Sequence, residues 1–192
     1  MKLVCGFDEA GRGPLAGPVS AGCVILPDDF PVEQLNDSKK LSEKKRDVLA
    51  VLIKEKALAY GIGFATHEEI DEINILQASL LAMKRAYSLM VNMLAEKGIS
   101  AENAELSAIV DGTFTPDINI PSRAEPKADG KYPCVMAASI LAKTARDDLM
   151  KEYAVLYPEY GYEKHKGYPT KAHVEVCRRI GMSPIQRKSF KF

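Results

Sequence analysis

Two adjacent carboxylates, Asp8 and Glu9, follow the short apolar run 3–7, and a third, Asp111, follows the apolar run 106–110. Acids at the ends of neighbouring strands are a common way to hold a divalent metal in an α/β protein. Oxygen-only ligands favour Mg2+ or Mn2+ over zinc. Asp129 stands in an irregular stretch before a helix that opens at Pro133, and it can supply a fourth carboxylate. Four acids in one cleft repel one another unless cations neutralise them. The plain alternative for each is a solvated turn residue or a helix cap, most of all for Asp129. Adjacent strand residues point to opposite faces. Asp8 and Glu9 therefore share a site only if the strand ends or bends there, or if one of them offers its main-chain carbonyl.

Other residues suit a phosphate or a sugar. Gly11-Arg12-Gly13 is either a tight turn with a solvated Arg or a place where backbone amides approach a ligand while Arg meets a phosphate. Asn36, Ser38 and Lys39 form a capped loop or a phosphate grip. Ser139, Lys143 and Thr144 share one helix at spacings that allow a common face. Tyr168 lies in the loop His165-Lys166-Gly167-Tyr168-Pro169-Thr170, where an aromatic among cations is a platform for a sugar or base, or else a ring folded onto the core. Gly11-x-Gly13-x-x-Ala16 formally matches a dinucleotide fingerprint. That fingerprint must open a helix, whereas Pro14 and Pro18 bracket a segment leading into a β-rich run, and two acids precede it. No P-loop motif, Ser/His/Asp triad or lone reactive cysteine is present, and His67 reads as the neighbour of a helix cap.

These residues need a frame to hold them. Strands are expected at 3–7, 19–26, 57–65 and 106–110, the first two as a hairpin. Helices are expected at 42–56, at 133–157, at 170–180, and from a Thr66/Glu69 capping box through a break near Asn74 to a long amphipathic run, 76–97, stopped by Gly98. Residues 113–131 read as irregular. A hairpin followed by alternating strands and helices indicates an α/β fold with a mixed sheet flanked by helices. The 192 residues, 46% of them hydrophobic, are enough for one core. The chain is divided here into a core, 1–157, and a basic C-terminal loop and helical extension, 158–192.

Lys+Arg and Asp+Glu are equal at 26 each, so the net charge is zero. Residues 164–192 nonetheless carry eight Lys/Arg against one acid, Glu175. A basic end on an acidic chain suggests a polyanionic partner, or else a solvated helix. No apolar run is long enough to span a membrane. The four cysteines are singletons, which argues against a disulfide framework or a zinc site and fits a cytoplasmic protein.

Several stretches together resemble the bacterial ribonuclease HII family. They are Gly6-Phe7-Asp8-Glu9-Ala10-Gly11-Arg12-Gly13-Pro14, Asn36-Asp37-Ser38-Lys39-Lys40-Leu41, Asn74-Ile75-Leu76, Val110-Asp111-Gly112, Ala137-Ala138-Ser139-Ile140-Leu141-Ala142-Lys143, His165-Lys166-Gly167-Tyr168-Pro169-Thr170 and Arg187-Lys188-Ser189-Phe190. The resemblance implies a ribonuclease H-like sheet and a monomer that cleaves RNA in RNA–DNA hybrids. It also implies incision 5′ to single ribonucleotides in duplex DNA, leaving 3′-hydroxyl and 5′-phosphate ends. Asp8, Glu9, Asp111 and Asp129 match the family's catalytic and metal positions, for two divalent cations. Gly11, Arg12 and Gly13 match the segment that senses the 2′-hydroxyl, and Tyr168 the ring that packs on the neighbouring deoxyribose. Asn36, Ser38, Lys39, Ser139 and Lys143 are the expected phosphate contacts, and the basic C-terminal stretch is the expected grip on the duplex. The alternatives are a general Mg2+-dependent nuclease, which ignores the 2′-hydroxyl, and a non-catalytic hybrid-binding module.

Overall fold

The computed structural model describes residues 1–35, 41–101 and 104–192. Three antiparallel strands open the chain: β1 (Lys2–Ala10), β2 (Val19–Ile25) and β3 (Ala59–Ala65). Helix α1 (Glu43–Lys56) links β2 to β3, and α2 (His67–Glu96) carries the chain back so that β4 (Glu105–Asp111) pairs parallel to β1. A short strand, β5 (Ser122–Glu125), adds in parallel to β4, which gives the order β3-β2-β1-β4-β5. Helices α3 (Pro133–Leu156), α4 (Tyr162–His165) and α5 (Lys171–Ile180) complete the chain. No described helix is long and apolar enough to cross a membrane.

Strand alternation assigns the two faces. Leu3, Cys5 and Phe7 of β1 and Val19, Ala21, Cys23 and Ile25 of β2 pack with α2 through Ala82, Ala86 and Met90. The opposite set faces α1 and α3, where Val24 meets Ala137, Ala138 and Leu141. Covered on both faces, β2 is buried at every residue, whereas edge strand β3 alternates. The approach of α2 is close because β3 lacks side chains at two points. A Cβ on Gly61 would stand 2.0 Å from the carbonyl oxygen of Ala86, and one on Gly63 2.2 Å from that of Ala82.

Helix signals act where the sequence puts them. Ser42 caps α1, and Thr66 and Glu69 form the reciprocal box at the start of α2. Pro133 occupies the first turn of α3. The break at Asn74 is a single residue, φ 68° and ψ 166°, inside α2. Its side-chain oxygen accepts from the amides of Leu76 and Gln77 and so caps the second half of the helix.

Two expectations change. The first strand continues to Ala10, because β2 pairs Asp8 with Gly22 and Glu9 with Ala21. Residues 113–131 are not wholly irregular, since they contain β5 and a 3-10 turn, Ala128–Gly130. Three half-buried residues and the exposed Arg123, Ser-Arg-Ala-Glu, carry no hydrophobic signature, and pairing with β4 makes them a strand.

Gly63→Ala should cost about 1–3 kcal/mol, because α2 must move away from the sheet. Gly130→Ala, which meets nothing within 4 Å, should stay within about 0.5 kcal/mol of the parent. Urea unfolding of both variants checks this.

Candidate active site

Strand pairing places the acids. Phe7 of β1 pairs with Val110 of β4, and one residue further on each strand stand Asp8 and Asp111. Neighbours on parallel strands share a face. Asp129 enters from the 3-10 turn, set up by Lys127 in the left-handed conformation. Asp111 fixes that turn by accepting the Ala128 amide at 2.7 Å. Asp8, Asp111 and Asp129 each offer a carboxylate oxygen within 4.8 Å of the others. Asp8 and Asp129 are buried, and Asp111 is half-buried. Three convergent oxygen donors fit a hard divalent cation.

Glu9 is not one of these three, although its charge acts on Asp8 and it feels that of Asp111. Its amide donates to Asp8 Oδ1 at 2.8 Å, while its carboxylate takes the Arg12 guanidinium at 3.3 Å. The strand therefore turns the two adjacent acids to different partners. Burial pushes the Asp8 carboxyl well above its ordinary range, the charges of Glu9 and Asp111 add to this, and a hydrogen bond with Ser139 opposes it. Burial also raises Glu9, against the lowering effect of Arg12. Such crowding is what a bound cation relieves.

A cleft of about 230 Å3 lies between the end of β1, the glycine turn, α3 and the Tyr168 loop. Glu9, Arg12, Gly13, Ser139, Lys143 and Tyr168 line it. It meets the acid cluster through Ser139, which bonds Asp8. Tyr168 is 40% exposed. Its ring lies 3.7 Å from where a Gly13 Cβ would stand and 5.7 Å from the Lys143 ammonium. Lys143 also binds Asp147 at 2.7 Å. Thr144 is not among the residues that line the cleft. Asn36, Ser38 and Lys39 lie outside the described residues.

Two further residues brace this cleft: Arg146, which belongs to none of the motif stretches, and Arg187, which opens the tail stretch Arg187-Lys188-Ser189-Phe190. Arg146 of α3 and Arg187 of the C-terminal tail are fully buried. Arg146 donates to the carbonyls of Pro18, Lys166 and Ala16 at 2.8, 2.9 and 3.1 Å. Arg187 donates to those of Gly17, Arg12, Gly11 and Pro18 at 2.9, 3.0, 2.6 and 3.1 Å. Burial draws their pKa values down to about 10 and about 9, which leaves both charged at neutral pH. Gly11 takes φ 97°, and a Cβ there would collide with Arg146 Nε at 2.0 Å. Arg187 thus leaves the expected duplex grip and becomes an internal strut. Lys166 is buried too, its ammonium donating to the Glu163 carbonyl. Lys164, Lys171, Arg178, Arg179, Lys188 and Lys191 remain exposed. The Lys/Arg count does not separate the two groups; the signal available was Arg187 between the apolar Ile185 and Phe190.

Comparison with known proteins places this geometry among relatives. The family model described as Ribonuclease HII matches residues 5–192. Ribonuclease HII of Treponema denticola is 55% identical over 193 residues, covering 98% of each chain. That of Dechloromonas aromatica is 54% identical over 188 residues, 98% of this chain and 90% of its own. Among solved structures, the ribonuclease H2 from Pyrococcus horikoshii OT3 superposes with a TM-score of 0.72 at 28% identity, covering 98% of this chain and 94% of that one.

The raised Asp8 carboxyl carries a sign. A carboxyl whose pKa is higher folded than unfolded destabilises the fold as pH rises through the folded value, and costs nothing below the unfolded one. Without divalent metal, Asp8→Asn should therefore raise the melting temperature at pH 8 and leave it nearly unchanged at pH 3. Added Mg2+ or Mn2+ should stabilise the parent more than the variant at pH 8. Thermal melts at both pH values, with chelator and with metal, check both statements.

Proposed function

The chain belongs to the ribonuclease HII family and is a ribonuclease H of type 2, and on that premise we propose that it incises duplexes on the 5′ side of a ribonucleotide through Asp8, Glu9, Asp111 and Asp129. The observation that carries this is the convergence of Asp8, Asp111 and Asp129 within 4.8 Å beside a cleft lined by Arg12, Gly13 and Tyr168. Asp8, Asp111 and Asp129, with Glu9 at the lip, would hold two divalent cations, Mg2+ or Mn2+. Bound there, the cations supply an activated water and charge neutralisation at the leaving 3′-oxygen.

The chain's own groups do the rest. Ser139 orients Asp8 by its hydrogen bond, and the Ala128 amide orients Asp111. Arg187 and Arg146 draw the carbonyls of the glycine turn inward. That leaves the amides of Arg12 and Gly13 without a backbone partner among the described residues, and they serve here as donors to the 2′-hydroxyl. Tyr168 packs on the adjacent sugar, and Lys143 and Arg12 meet phosphate oxygens. In this reading residues 1–157 are the catalytic core of a monomer. Residues 158–192 extend it, with Lys171, Arg178 and Arg179 on an exposed basic face toward the duplex. The four free thiols suit a reducing, cytoplasmic setting.

Duplex DNA carrying one ribonucleotide tests the reading, with all-DNA duplex as control, each with Mg2+ and with chelator. The expected result is a metal-dependent nick 5′ to the ribonucleotide and none in the control. Cleavage of both duplexes would indicate a general nuclease, and binding without cleavage a hybrid-binding module. Asp8→Asn should abolish nicking while leaving duplex affinity within about threefold, measured by fluorescence anisotropy in Ca2+, because most of that affinity comes from backbone contacts. Tyr168→Ala should slow the single-ribonucleotide reaction by about tenfold, from a ring contact worth ~1–3 kcal/mol.

A further inference from the structure

Tyr168 is held by an unusual piece of backbone. Helix α4 ends at His165, and the next two residues, Lys166 (φ 51°) and Gly167 (φ 84°), are both left-handed. Lys166 pays a steric cost of roughly 1 kcal/mol for that conformation, so local contacts must hold it. Arg146 holds the Lys166 carbonyl and the Tyr162 carbonyl accepts the Lys166 amide, and two histidines hold the residues that follow. The rings of His165 and His173 stack with centroids 4.5 Å apart and planes 16° apart, and Tyr162 meets both edge-on. The His165 carbonyl accepts the Tyr168 amide at 2.8 Å, and His165 Nδ1 accepts the Gly167 amide at 3.2 Å. Since Nδ1 accepts, the proton sits on Nε2, which donates to the Tyr160 carbonyl at 2.8 Å. His173 Nδ1 lies 3.0 Å from the Tyr168 carbonyl, which can only accept, so Nδ1 carries the proton there. The His173 ring is otherwise buried beside the Gln186 side chain. A second proton on either ring would cost a backbone hydrogen bond or bury a charge. Burial in addition holds both pKa values below the ordinary imidazole range.

We propose that His165 and His173, as a stacked neutral pair with opposite tautomers, are positioning residues that fix Tyr168 over Gly13 and so set the enzyme's preference for single-ribonucleotide junctions. The pair grips the Tyr168 peptide from both ends, its N–H through the His165 carbonyl and its C=O through the His173 ring. The Thr170 amide also reaches that carbonyl, at 2.8 Å, and Thr170 Oγ1 in turn accepts the His173 amide. The first turn of α5 is thereby tied to the same loop. The proposal rests on reading Tyr168 as the sugar platform, and it adds that backbone placement, not ring chemistry alone, makes the platform work.

The test is the ratio of rates on a single-ribonucleotide duplex and on a continuous RNA–DNA hybrid, measured with Mg2+ at pH 7.5 for four proteins. They are the parent, Tyr168→Ala, His173→Phe and His173→Asn. His173→Phe keeps a ring in the stack and loses the donor. His173→Asn keeps an amide N–H where Nδ1 stood. The ratio should fall by about tenfold in Tyr168→Ala and in His173→Phe, the scale of a misplaced substrate contact. It should return to within about twofold of the parent in His173→Asn. A parental ratio in His173→Phe beside a low one in Tyr168→Ala would overturn the positioning role and leave the Tyr168 reading intact. A parental ratio in Tyr168→Ala would overturn that reading itself. A ratio in His173→Asn as low as in His173→Phe would overturn the hydrogen-bond basis. Should His173→Phe fail to fold, ring-nitrogen NMR of the parent decides at pH 7. Nδ1–H on His173 and Nε2–H on His165 support the pair, and a doubly protonated ring or the reverse tautomers overturn it.

Discussion

Six hydrogen bonds from two buried guanidinium groups hold the glycine turn in place, a seventh ties Lys166 to it, and both the cleft and the C-terminal extension depend on them. A buried cation without a counter-charge costs several kcal/mol. Neither Arg146 nor Arg187 has an ion pair among the described residues, and each is instead satisfied by carbonyl dipoles from residues 11–18 and from Lys166. Charge-assisted bonds of this kind are roughly twice as strong as neutral ones. The arrangement works only if the turn curls around the two side chains, which is why Gly11 and Gly17 stand at positive φ where a Cβ would strike Arg146 or Met150. The same bonds tie the beginning of the chain to its end. The amides of Leu15 and Gly17 reach Gly167 and Ile185, and the Arg187 amide returns to Leu15. The cleft is therefore not complete in the first 157 residues alone, since Tyr168 lines it and its wall is braced from the tail.

The acid cluster rests on a different constraint, the register of β1 against β4. Because side chains alternate, a slip by one residue would turn Asp8 toward α2 and bring Phe7 into its place. Phe7 and Cys5 are wholly buried against α2, so the hydrophobic face locks the register that the carboxylates need. Stability and chemistry here use the same strand, one on each face. The cost appears as electrostatic crowding at Asp8.

The charge asymmetry also resolves into two roles. The basic end contains six exposed side chains and two buried ones, and only the exposed ones are available to a polyanion. Asp71, near the start of α2, receives the amides of Lys188 and Ser189 and so fixes the tail that carries Arg187. This contact joins the helix on one face of the sheet to the turn at the end of β1.

Much of this was legible in the chain itself. Capping by Ser42 and by Thr66 with Glu69, the break at Asn74 and the start at Pro133 are local physics, governed by side chains within a few residues of the backbone they satisfy. The motifs around Asp8, Asp111, Ser139 and Tyr168 identified the family because residue types at short spacing are preserved in the linear order. Tertiary structure alone decided the remainder. It brought Asp8, Asp111 and Asp129 together, made a strand of 122–125, buried Arg187 and gave His165 and His173 opposite protons. Three of these depend on a partner further along the chain: Val110 for the register at Asp8, β4 for β5 and the glycine turn for Arg187; the Tyr168 carbonyl lies only five residues from His173, and there burial of the loop is what the fold adds. Burial and register are sums over such distant contacts, and no local spacing encodes them.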